Sequence, residues 1–230
     1  MRITVEVWRI DLVNTPPPSA VDLDALSVDE RARHARYLVA EPARVFATTR
    51  IALRRLLGRR LGRSAAAVQI EADVHGKPAV LGVSQPFFNV SHCSTCALIA
   101  FCDVAQVGID VESSTALAFE APVAASTCTS RELAWLHTHR SLADVTLTRL
   151  WSRKEAVLKA PGVGLTHPMF ELDLGVPDST EGILETPDLG RVAWRDLALP
   201  PTEVGTVAVL TTDTAAISVT MRPYVSRHDR

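Results

Sequence analysis

The segment Val107-Gly-Ile-Asp-Val-Glu112 alternates apolar and polar residues, and this alternation predicts a β-strand with two different faces. Its three apolar residues fall on one face and Asp110 and Glu112 on the other, because successive side chains of a strand point to opposite sides. The apolar face can therefore be buried while both carboxylates point the same way. Two explanations are open at this point, a half-exposed strand with solvated acids or a pair of ligands for a cation.

A third carboxylate, Glu155, lies further along the chain in the segment Trp151-Ser-Arg-Lys-Glu-Ala-Val-Leu-Lys159. The segment predicts a helix that is capped by Asp144 and ends at Pro161-Gly162. Glu155 and Lys159 are four residues apart and so share a helix face, either as an ordinary surface ion pair or as a metal ligand beside a phosphate-binding cation. If this helix packs beside the strand, the all-oxygen ligand set favours Mg²⁺, with Mn²⁺ as the substitute.

Composition predicts an ordinary globular protein, since 47% of the 230 residues are hydrophobic and 22% are charged. The sequence has no apolar run of eighteen residues and no signal-peptide pattern, so we expect a cytoplasmic protein without a membrane span. The four cysteines are then expected to be reduced thiols. Cys93 and Cys96 could form half a zinc site or a redox pair, but the sequence favours buried small apolar residues.

Positive charge is unevenly distributed along the chain. Ten arginines and a single acidic residue lie between Arg31 and Arg63, which predicts an anionic partner. A nucleic acid fits that description poorly, because an aromatic content of 5% leaves few stacking platforms. The chain has 24 basic residues, of which only Lys77, Lys154 and Lys159 are lysines. Since an ammonium is more compact than a guanidinium, this scarcity indicates that these three positions need a point charge.

The order of predicted elements indicates an α+β fold, because strands and a long helix occur in each half of the chain. The small, irregular residues after Ser113 suggest a boundary that divides the chain into subdomains 1–113 and 114–230. Near the C-terminus, the segments 205–212 and 215–221 alternate and are separated by a turn, so we expect them to form a hairpin pair.

Four motifs together resemble those of a known enzyme family, in both order and spacing. The chain is similar to the 4′-phosphopantetheinyl transferases of the monomeric, surfactin-synthetase-activator type. The resemblance implies two similar α/β subdomains related by a pseudo-twofold axis, with coenzyme A in the cleft between them. The motifs are His75-Gly-Lys-Pro78, Phe88-Asn-Val-Ser-His92, Val107–Glu112, and Trp151–Lys159 followed by Gly162-Val-Gly-Leu165.

The resemblance also implies an activity and a set of acids. The family transfers the phosphopantetheine arm of coenzyme A to a serine of an apo acyl or peptidyl carrier protein, of the peptide-synthetase, polyketide or fatty-acid type, and releases 3′,5′-ADP. Carried over to this sequence, Asp110, Glu112 and Glu155 would hold Mg²⁺ on the pyrophosphate. Lys159 would contact the phosphate being transferred. Asp110, Glu155 and Lys159 would therefore carry the catalysis.

Five further residues are implied as contacts for coenzyme A. Lys77, Ser91 and His92 would bind the phosphates of the 3′-phospho-ADP portion, and Arg33 and Arg50 would add positive charge beside it. Glu30 stands where the family prototype has a lysine, which puts one basic contact in doubt.

We expect Glu155 to act as general base for the carrier serine, directly or through a water on the metal. A carboxylate that binds a metal is a weak base, so the second route is favoured. The expected protein is a monomer that binds neither nucleic acid nor membrane. The alternatives are a Mg²⁺-dependent phosphoester hydrolase that uses the same acids, a nucleic-acid binder, and a silent coenzyme A-binding relative.

Overall fold

The structure is a computed structural model that describes residues 2–73, 76–175, 179–214 and 216–225, and it confirms the predicted α+β class. The strands in these residues are β1 Arg2–Asp11, β2 Ile70–Ala72, β3 Pro78–Val80, β4 Phe87–His92, β5 Cys96–Cys102, β6 Val107–Ser113, β7 Glu181–Thr186, β8 Gly190–Asp196, β9 Glu203–Thr211 and β10 Ala216–Pro223. The α-helices are α1 Ala20–Leu23, α2 Val28–Ala35, α3 Ala40–Leu61, α4 Val123–Thr127, α5 Ser130–Thr138 and α6 Ala143–Lys159.

Most of the described strands form two four-stranded sheets. The first has the order β10-β1-β5-β4, in which β10 runs parallel to β1 and the other pairs are antiparallel. The second is antiparallel throughout and has the order β6-β9-β8-β7. The short hairpin of β2 and β3 stands apart from both sheets. Strands β4 and β6 are therefore edge strands, one in each sheet.

The two sheets do not follow the predicted division into 1–113 and 114–230. Strand β6 precedes that boundary but pairs with β9, and β10 follows it but pairs with β1. Each sheet thus contains one strand from the far side of the boundary, and the division into subdomains stays a prediction. The consequence for function is direct, because Asp110 lies in the same sheet that the long helix α6 covers.

The expected hairpin of segments 205–212 and 215–221 is wrong. Strand β9 lies between β6 and β8, whereas β10 joins the other sheet next to β1, and Ala215 is outside the described residues. Both strands have the alternation that was read from the sequence. Alternation predicts a strand but does not specify the strand with which it pairs. No residue close to β10 in the sequence indicates that β10 pairs in parallel with β1, the first strand of the chain.

A long helix covers the outer face of each sheet, and the inner faces pack against each other. In β5, Leu98 and Ala100 face the second sheet, whereas Ile99 and Phe101 face α3. Every residue of β5 is consequently buried. On β6 the apolar face packs against the first sheet and the acidic face lies under α6, so the face assignment made from the sequence is confirmed.

The starts of several helices agree with the sequence. Ser27 and Thr129 form capping boxes with Glu30 and Glu132, which satisfy backbone N–H groups at the starts of α2 and α5. The expected cap at Asp144 is wrong. Helix α6 begins at Ala143, and the Asp144 carboxylate instead accepts the Phe119 N–H at 2.7 Å. That side chain fixes the preceding loop rather than the helix end.

Helix α3 is 22 residues long and ends at Gly62, whose φ of 64° is left-handed. Glycine adopts this conformation without steric cost, as the sequence predicted for a stop at this position. Of the helices that the structure describes, none combines the length and the apolar character required to span a bilayer.

The cysteines are free thiols, and Cys96, Cys102 and Cys128 are buried as the sequence favoured. Cys93 is only half-buried, and its Sγ lies 3.9 Å from the Sγ of Cys96 across the β4–β5 turn.

Candidate functional site

Gly108 permits an unusually close approach of strand β6 to helix α6. A Cβ atom at this position would lie 2.1 Å from the carbonyl oxygen of Ala156 and 2.5 Å from the backbone nitrogen of Ala160. Both are backbone atoms, so a side chain here could be accommodated only by moving the helix away from the strand. The strand that carries Asp110 and the helix that carries Glu155 are in contact because residue 108 has no side chain.

We expect Gly108→Ala to lower the free energy of unfolding by about 3 kcal/mol, the upper end for an overpacked core, because rigid backbone must move. Urea denaturation of this variant and of Ser113→Ala, at the far end of the same strand, checks the expectation. The Ser113 variant should stay within about 0.5 kcal/mol of wild type. Equal stability of all three proteins would show that α6 does not depend on this contact.

Asp110 is the most buried of the three acids, with 2% of its surface exposed. Its Oδ1 accepts hydrogen bonds from Lys159 Nζ at 2.7 Å and from Ser91 Oγ at 2.8 Å. Its Oδ2 is buried and has no hydrogen-bond partner among the described residues. A buried acceptor without a partner costs about 1–3 kcal/mol, and an ion, a ligand or a water is one way in which a native site satisfies such an atom.

Lys159 links the acid of the strand to the acid of the helix. Its Nζ lies 2.7 Å from Asp110 Oδ1 and 3.3 Å from Glu155 Oε2. Burial alone would lower the pKa of Lys159, but the negative charges of Asp110 and Glu155 outweigh it and raise the pKa above its usual value. Lys159 is therefore a permanent cation inside the site.

Glu112 and Glu155 are harder to ionise than ordinary glutamates. Burial, and secondly the charge of Asp110, raise the pKa of Glu112 to about 7. Burial also raises the pKa of Glu155, and the charge of Asp110 adds to this effect, although Lys159 opposes it. Three carboxylates thus share a partly buried region with one ammonium group, which leaves an excess of negative charge.

This excess charge, the oxygen-only donor set and the unpartnered Oδ2 of Asp110 fit a hard divalent cation such as Mg²⁺. As the side chains stand, no group of three or more His, Cys, Asp or Glu in the described part of the chain is arranged to hold an ion. Lys159 Nζ lies between Asp110 and Glu155. The residues therefore match the cation in chemistry, and a binding role for them is argued below as a proposal.

A cleft of 580 Å³ lies between α2, α3, β4 and the β2–β3 hairpin, and the described residues that line it include neither the three acids nor Lys159. Three of the predicted coenzyme A contacts, Arg33, Arg50 and His92, line it. The guanidinium carbon of Arg33 lies 4.8 Å from the ring centre of Phe46, which holds the charge over an aromatic face. The fold thus brings basic residues from three separate elements to one cleft, which Asp29, Glu30 and Glu71 also line; it is called the basic cleft below, after its arginines. His75 is outside the described residues.

Glu30, at the position where the family prototype has a lysine, binds two arginines of the same chain. Its carboxylate accepts hydrogen bonds from Nε of Arg50 and Nε of Arg54, as well as from the backbone N–H of Ser27 at 2.9 Å. Burial opposes ionisation, but the Ser27 hydrogen bond and the Arg50 guanidinium hold the pKa of Glu30 below its usual value. Glu30 fixes α2 to α3 and orients Arg50, whose guanidinium has further N–H donors for a ligand.

The ammonium group of each of the three lysines donates hydrogen bonds to specific oxygen atoms. This agrees with the interpretation that these positions need a point charge. Lys154 Nζ is fully buried and donates to Glu132 Oε2 at 2.5 Å and to the Thr127 carbonyl at 2.7 Å. Lys77 Nζ donates to two backbone carbonyls, and burial lowers the pKa of Lys77 to about 8. Lys154 is thus a structural residue, whereas Lys159 lies among the acids.

Two contacts in the site were missed by the sequence reasoning, although both residues stand in a quoted motif. Asn89 Oδ1 accepts the Ile109 N–H at 3.0 Å, which joins the edge strand β4 to the edge strand β6. Ser91 was predicted to contact phosphate, and its Oγ donates to Asp110 in this structure. A buried Asn inside a strand was the available signal, because Asn is depleted in strands and needs partners.

Comparison with known proteins identifies the family. A model of the 4′-phosphopantetheinyl transferase superfamily matches residues 106–207, a range that includes the three acids and Lys159. The chain is also 35% identical over 216 residues to the 4′-phosphopantetheinyl transferase HetI of Nostoc sp., and this alignment covers 89% of the chain and 87% of the relative. The chain belongs to the 4′-phosphopantetheinyl transferase superfamily.

Two further relatives in this superfamily are more distant. A putative 4′-phosphopantetheinyl transferase of Synechocystis sp. is 31% identical over 66% of this chain and 62% of its own length. The 4′-phosphopantetheinyl transferase Sfp of Bacillus subtilis is 23% identical over 71% of this chain and 72% of its own length. The predicted enzyme class is confirmed. Family membership decides for a transferase and against a phosphoester hydrolase.

Proposed function

We propose that this transferase moves the 4′-phosphopantetheine group of coenzyme A to a serine of an apo acyl or peptidyl carrier protein and releases 3′,5′-ADP. The observation that carries the proposal is the meeting of Asp110, Glu112, Glu155 and Lys159 where β6 contacts α6, together with a separate cleft to which three arginines contribute. The pyrophosphate of coenzyme A needs a metal cation and an ammonium group close to it. The phosphate at the nucleotide end lies away from the pyrophosphate and needs basic side chains of its own.

Asp110, Glu112 and Glu155 are the residues that we propose to hold Mg²⁺ or Mn²⁺. Their oxygens and the unpartnered Oδ2 of Asp110 support this assignment. When bound, the ion would neutralise the pyrophosphate and make its phosphorus easier to attack. The protein's own share is to keep three acids together in a partly buried region, where burial, with a smaller contribution from the charge of Asp110, raises the pKa values of Glu112 and Glu155.

The raised pKa of Glu112 predicts how stability depends on pH. An unfolded glutamate loses its proton near pH 4.5, whereas Glu112 in the fold keeps it up to about pH 7. Between these values the folded state binds more protons, so Glu112 makes the metal-free protein less stable as pH rises. Added Mg²⁺ should offset this loss, and its rise in Tm should be larger at pH 8 than at pH 5, because the ligand must be ionised.

Thermal unfolding of wild type and Glu112→Gln, each with Mg²⁺ or with chelator at both pH values, checks this expectation. The Gln variant should lose the part of the pH dependence that lies between about 4.5 and 7. An identical Mg²⁺ effect in both proteins would remove Glu112 from the proposed ligand set.

Lys159 and Glu155 are the groups that we propose to act on the reacting atoms. Lys159 stays protonated and can stabilise negative charge that develops on the transferred phosphate. Glu155, made more basic by burial, can take the proton of the serine hydroxyl. The serine oxygen then forms the new bond to phosphorus, the bond to the leaving phosphate oxygen breaks, and 3′,5′-ADP departs with the electron pair.

Coenzyme A would lie with its nucleotide end in the basic cleft. Arg33, Arg50 and His92 line this cleft, which supports their assignment to coenzyme A, with His92 at the phosphates of the 3′-phospho-ADP portion. The Ser91 hydroxyl donates to Asp110, so it can contact a phosphate only if that hydrogen bond is exchanged. The assignment of Lys77 to these phosphates stays a prediction, and its geometry is taken up below.

We further propose that the enzyme acts as a cytoplasmic monomer, without nucleic acid or membrane. The basic stretch supports the absence of a nucleic-acid partner, because half of its ten arginines pair with acids of the same chain and are partly neutralised. The pairs are Arg44 with Glu41, Arg50 and Arg54 with Glu30, Arg55 with Asp22, and Arg60 with Glu6. Light scattering checks the monomer, and a salt titration of binding to generic DNA checks the absence of that partner.

The function is tested by incubating the protein with coenzyme A, Mg²⁺ and a panel of apo carrier proteins from peptide-synthetase, polyketide and fatty-acid systems. A mass increase of about 340 Da on a carrier, equal to the phosphopantetheine group, is expected together with an equal amount of 3′,5′-ADP. A serine-to-alanine carrier is the control. Hydrolysis of coenzyme A without any gain of carrier mass would contradict transfer.

A further inference from the structure

Lys77 connects the two elements that carry the acids. Its Nζ donates to the carbonyl oxygen of Val107 at 3.2 Å and to the carbonyl oxygen of Ala160 at 2.5 Å. Val107 is the first residue of β6, and Ala160 directly follows the last residue of α6. A single ammonium therefore binds the start of the acidic strand and the end of the helix.

The chemistry of both carbonyls suits an ammonium. The last carbonyls of a helix have no partner within the helix and carry the negative end of its dipole, so a cation at Ala160 stabilises this end. An ammonium has three N–H donors that point in different directions, which lets it reach two separate backbone segments at once. A neutral side chain of similar length would supply no charge for the helix end.

Lys77 is held at this point by contacts to its backbone and to its side-chain stem. The Asp73 carboxylate accepts the Lys77 N–H at 2.8 Å, and the Lys77 carbonyl accepts the Asp73 N–H at 2.9 Å. Opposite it, Gly162 has a φ of 85°, and a Cβ there would lie 3.1 Å from Lys77 Cδ. The chain after α6 thus curves around the lysine stem at a glycine. Both sides of the contact are shaped for the side chain.

We propose that Lys77 is a positioning residue that fixes β6 against the end of α6 and so sets the spacing of Asp110, Glu155 and Lys159. The inference rests on the function proposed above for those three residues. It assigns Lys77 to the backbone of the enzyme itself instead of to a phosphate of coenzyme A.

Two observations separate this role from that of a phosphate ligand. Gly76 and Pro78 line the basic cleft that holds Arg33 and His92, whereas Lys77 lines the neighbouring cavity beside Phe87. To reach a phosphate, the ammonium would also have to leave two carbonyls, and each buried group left unpaired costs about 1–3 kcal/mol. The position of Lys77 therefore favours the structural contact.

The proposal predicts a change in the free protein, before any coenzyme A is added. In Lys77→Met, amide hydrogen exchange of β6 and of the segment that ends α6 should accelerate by about tenfold or more. The matched control Arg59→Met removes an exposed cation from α3 and should leave these rates unchanged. Unchanged exchange at both segments in Lys77→Met would overturn the proposal, because a pure ligand of coenzyme A has no role in the free protein.

Steady-state kinetics give the second readout. For Lys77→Met we expect kcat to fall by about 10- to 100-fold, the usual cost of losing a residue that orients active-site groups, with KM for coenzyme A changed less than about threefold. The same fractional loss is expected with 3′-dephospho-coenzyme A. A raised KM for coenzyme A at unchanged kcat, or a loss confined to the substrate that carries the 3′-phosphate, would show a phosphate ligand and refute the proposal.

Lys77→Gln keeps the test decisive if the Met variant is too unstable to assay. The amide retains an N–H donor for one carbonyl but has no charge for a phosphate. If Lys77 is a positioning residue, amide exchange should be slower and kcat higher in Lys77→Gln than in Lys77→Met. If the Met variant cannot be assayed, Lys77→Gln should have a lower kcat than wild type at a near-normal KM for coenzyme A. A phosphate ligand predicts a raised KM. If wild type itself transfers no group to any carrier, the proposed function fails, whereas the exchange experiment still judges the contact.

Discussion

Replacing Asp110 with asparagine is expected to reduce transfer by about 10²–10³-fold, the range for removal of one preorganised electrostatic group from an active site. Asp110 contacts Lys159 and Ser91 through Oδ1, and its Oδ2 is the buried acceptor without a partner. The amide has nearly the same shape, so the packing between β6 and α6 should survive. It lacks the negative charge that the cation and Lys159 require.

The fold of Asp110→Asn should be intact, because the substitution also removes repulsion between Asp110 and Glu112. Asp196→Asn is the matched control. Asp196 lies in the same sheet as Asp110, binds Arg153 of α6 at 2.7 and 2.9 Å, and contacts none of the three acids. We expect the control to lower the urea midpoint while keeping kcat per folded molecule. Full activity of Asp110→Asn at saturating Mg²⁺ would contradict the role of this carboxylate.

Glu155→Gln has the second large expected effect, a fall in kcat of about 10²–10⁴-fold if this carboxylate takes the serine proton. The wild-type rate should decline on the acidic side, where Glu155 becomes protonated, at a pH above that of an ordinary glutamate. The amide cannot accept the proton at any pH. The residual activity of the variant should therefore lose the part of the acidic limb that Glu155 causes, whereas the part that follows the ionisation of Glu112 stays.

Glu155→Asp serves as the control, because it keeps a carboxylate on a shorter side chain and should restore part of the activity together with the acidic limb. A variant that is slow but keeps the wild-type pH profile would leave Glu155 as a metal ligand alone. Near-normal turnover of Glu155→Gln at saturating Mg²⁺ would exclude both roles.

The sequence predicts which acidic side chains share a face of one element because that information is local. The alternation around Asp110 sets which side chains share a face, and the four-residue spacing of Glu155 and Lys159 sets which share a helix face. Both facts follow from the geometry of single elements. The α+β class follows in the same way, from elements that can be recognised one at a time.

The sequence does not predict which helices and strands contact each other. Nothing near Ala216 indicates that its strand pairs with the first strand of the chain, and the expected hairpin was wrong for this reason. Gly108 stands in a quoted motif, yet the need for glycine appears only when α6 is placed against it. The partners of Lys77 are backbone carbonyls, which carry no sequence signal at all.

The intact mass of an apo carrier protein, after incubation with this enzyme and coenzyme A in the presence of Mg²⁺ or of excess chelator, tests the central claim most directly. The acids at the β6–α6 contact predict a gain of about 340 Da with Mg²⁺ and no gain with chelator. Equal modification of the carrier under both conditions would contradict the claim that Asp110, Glu112 and Glu155 gather a cation for the transfer.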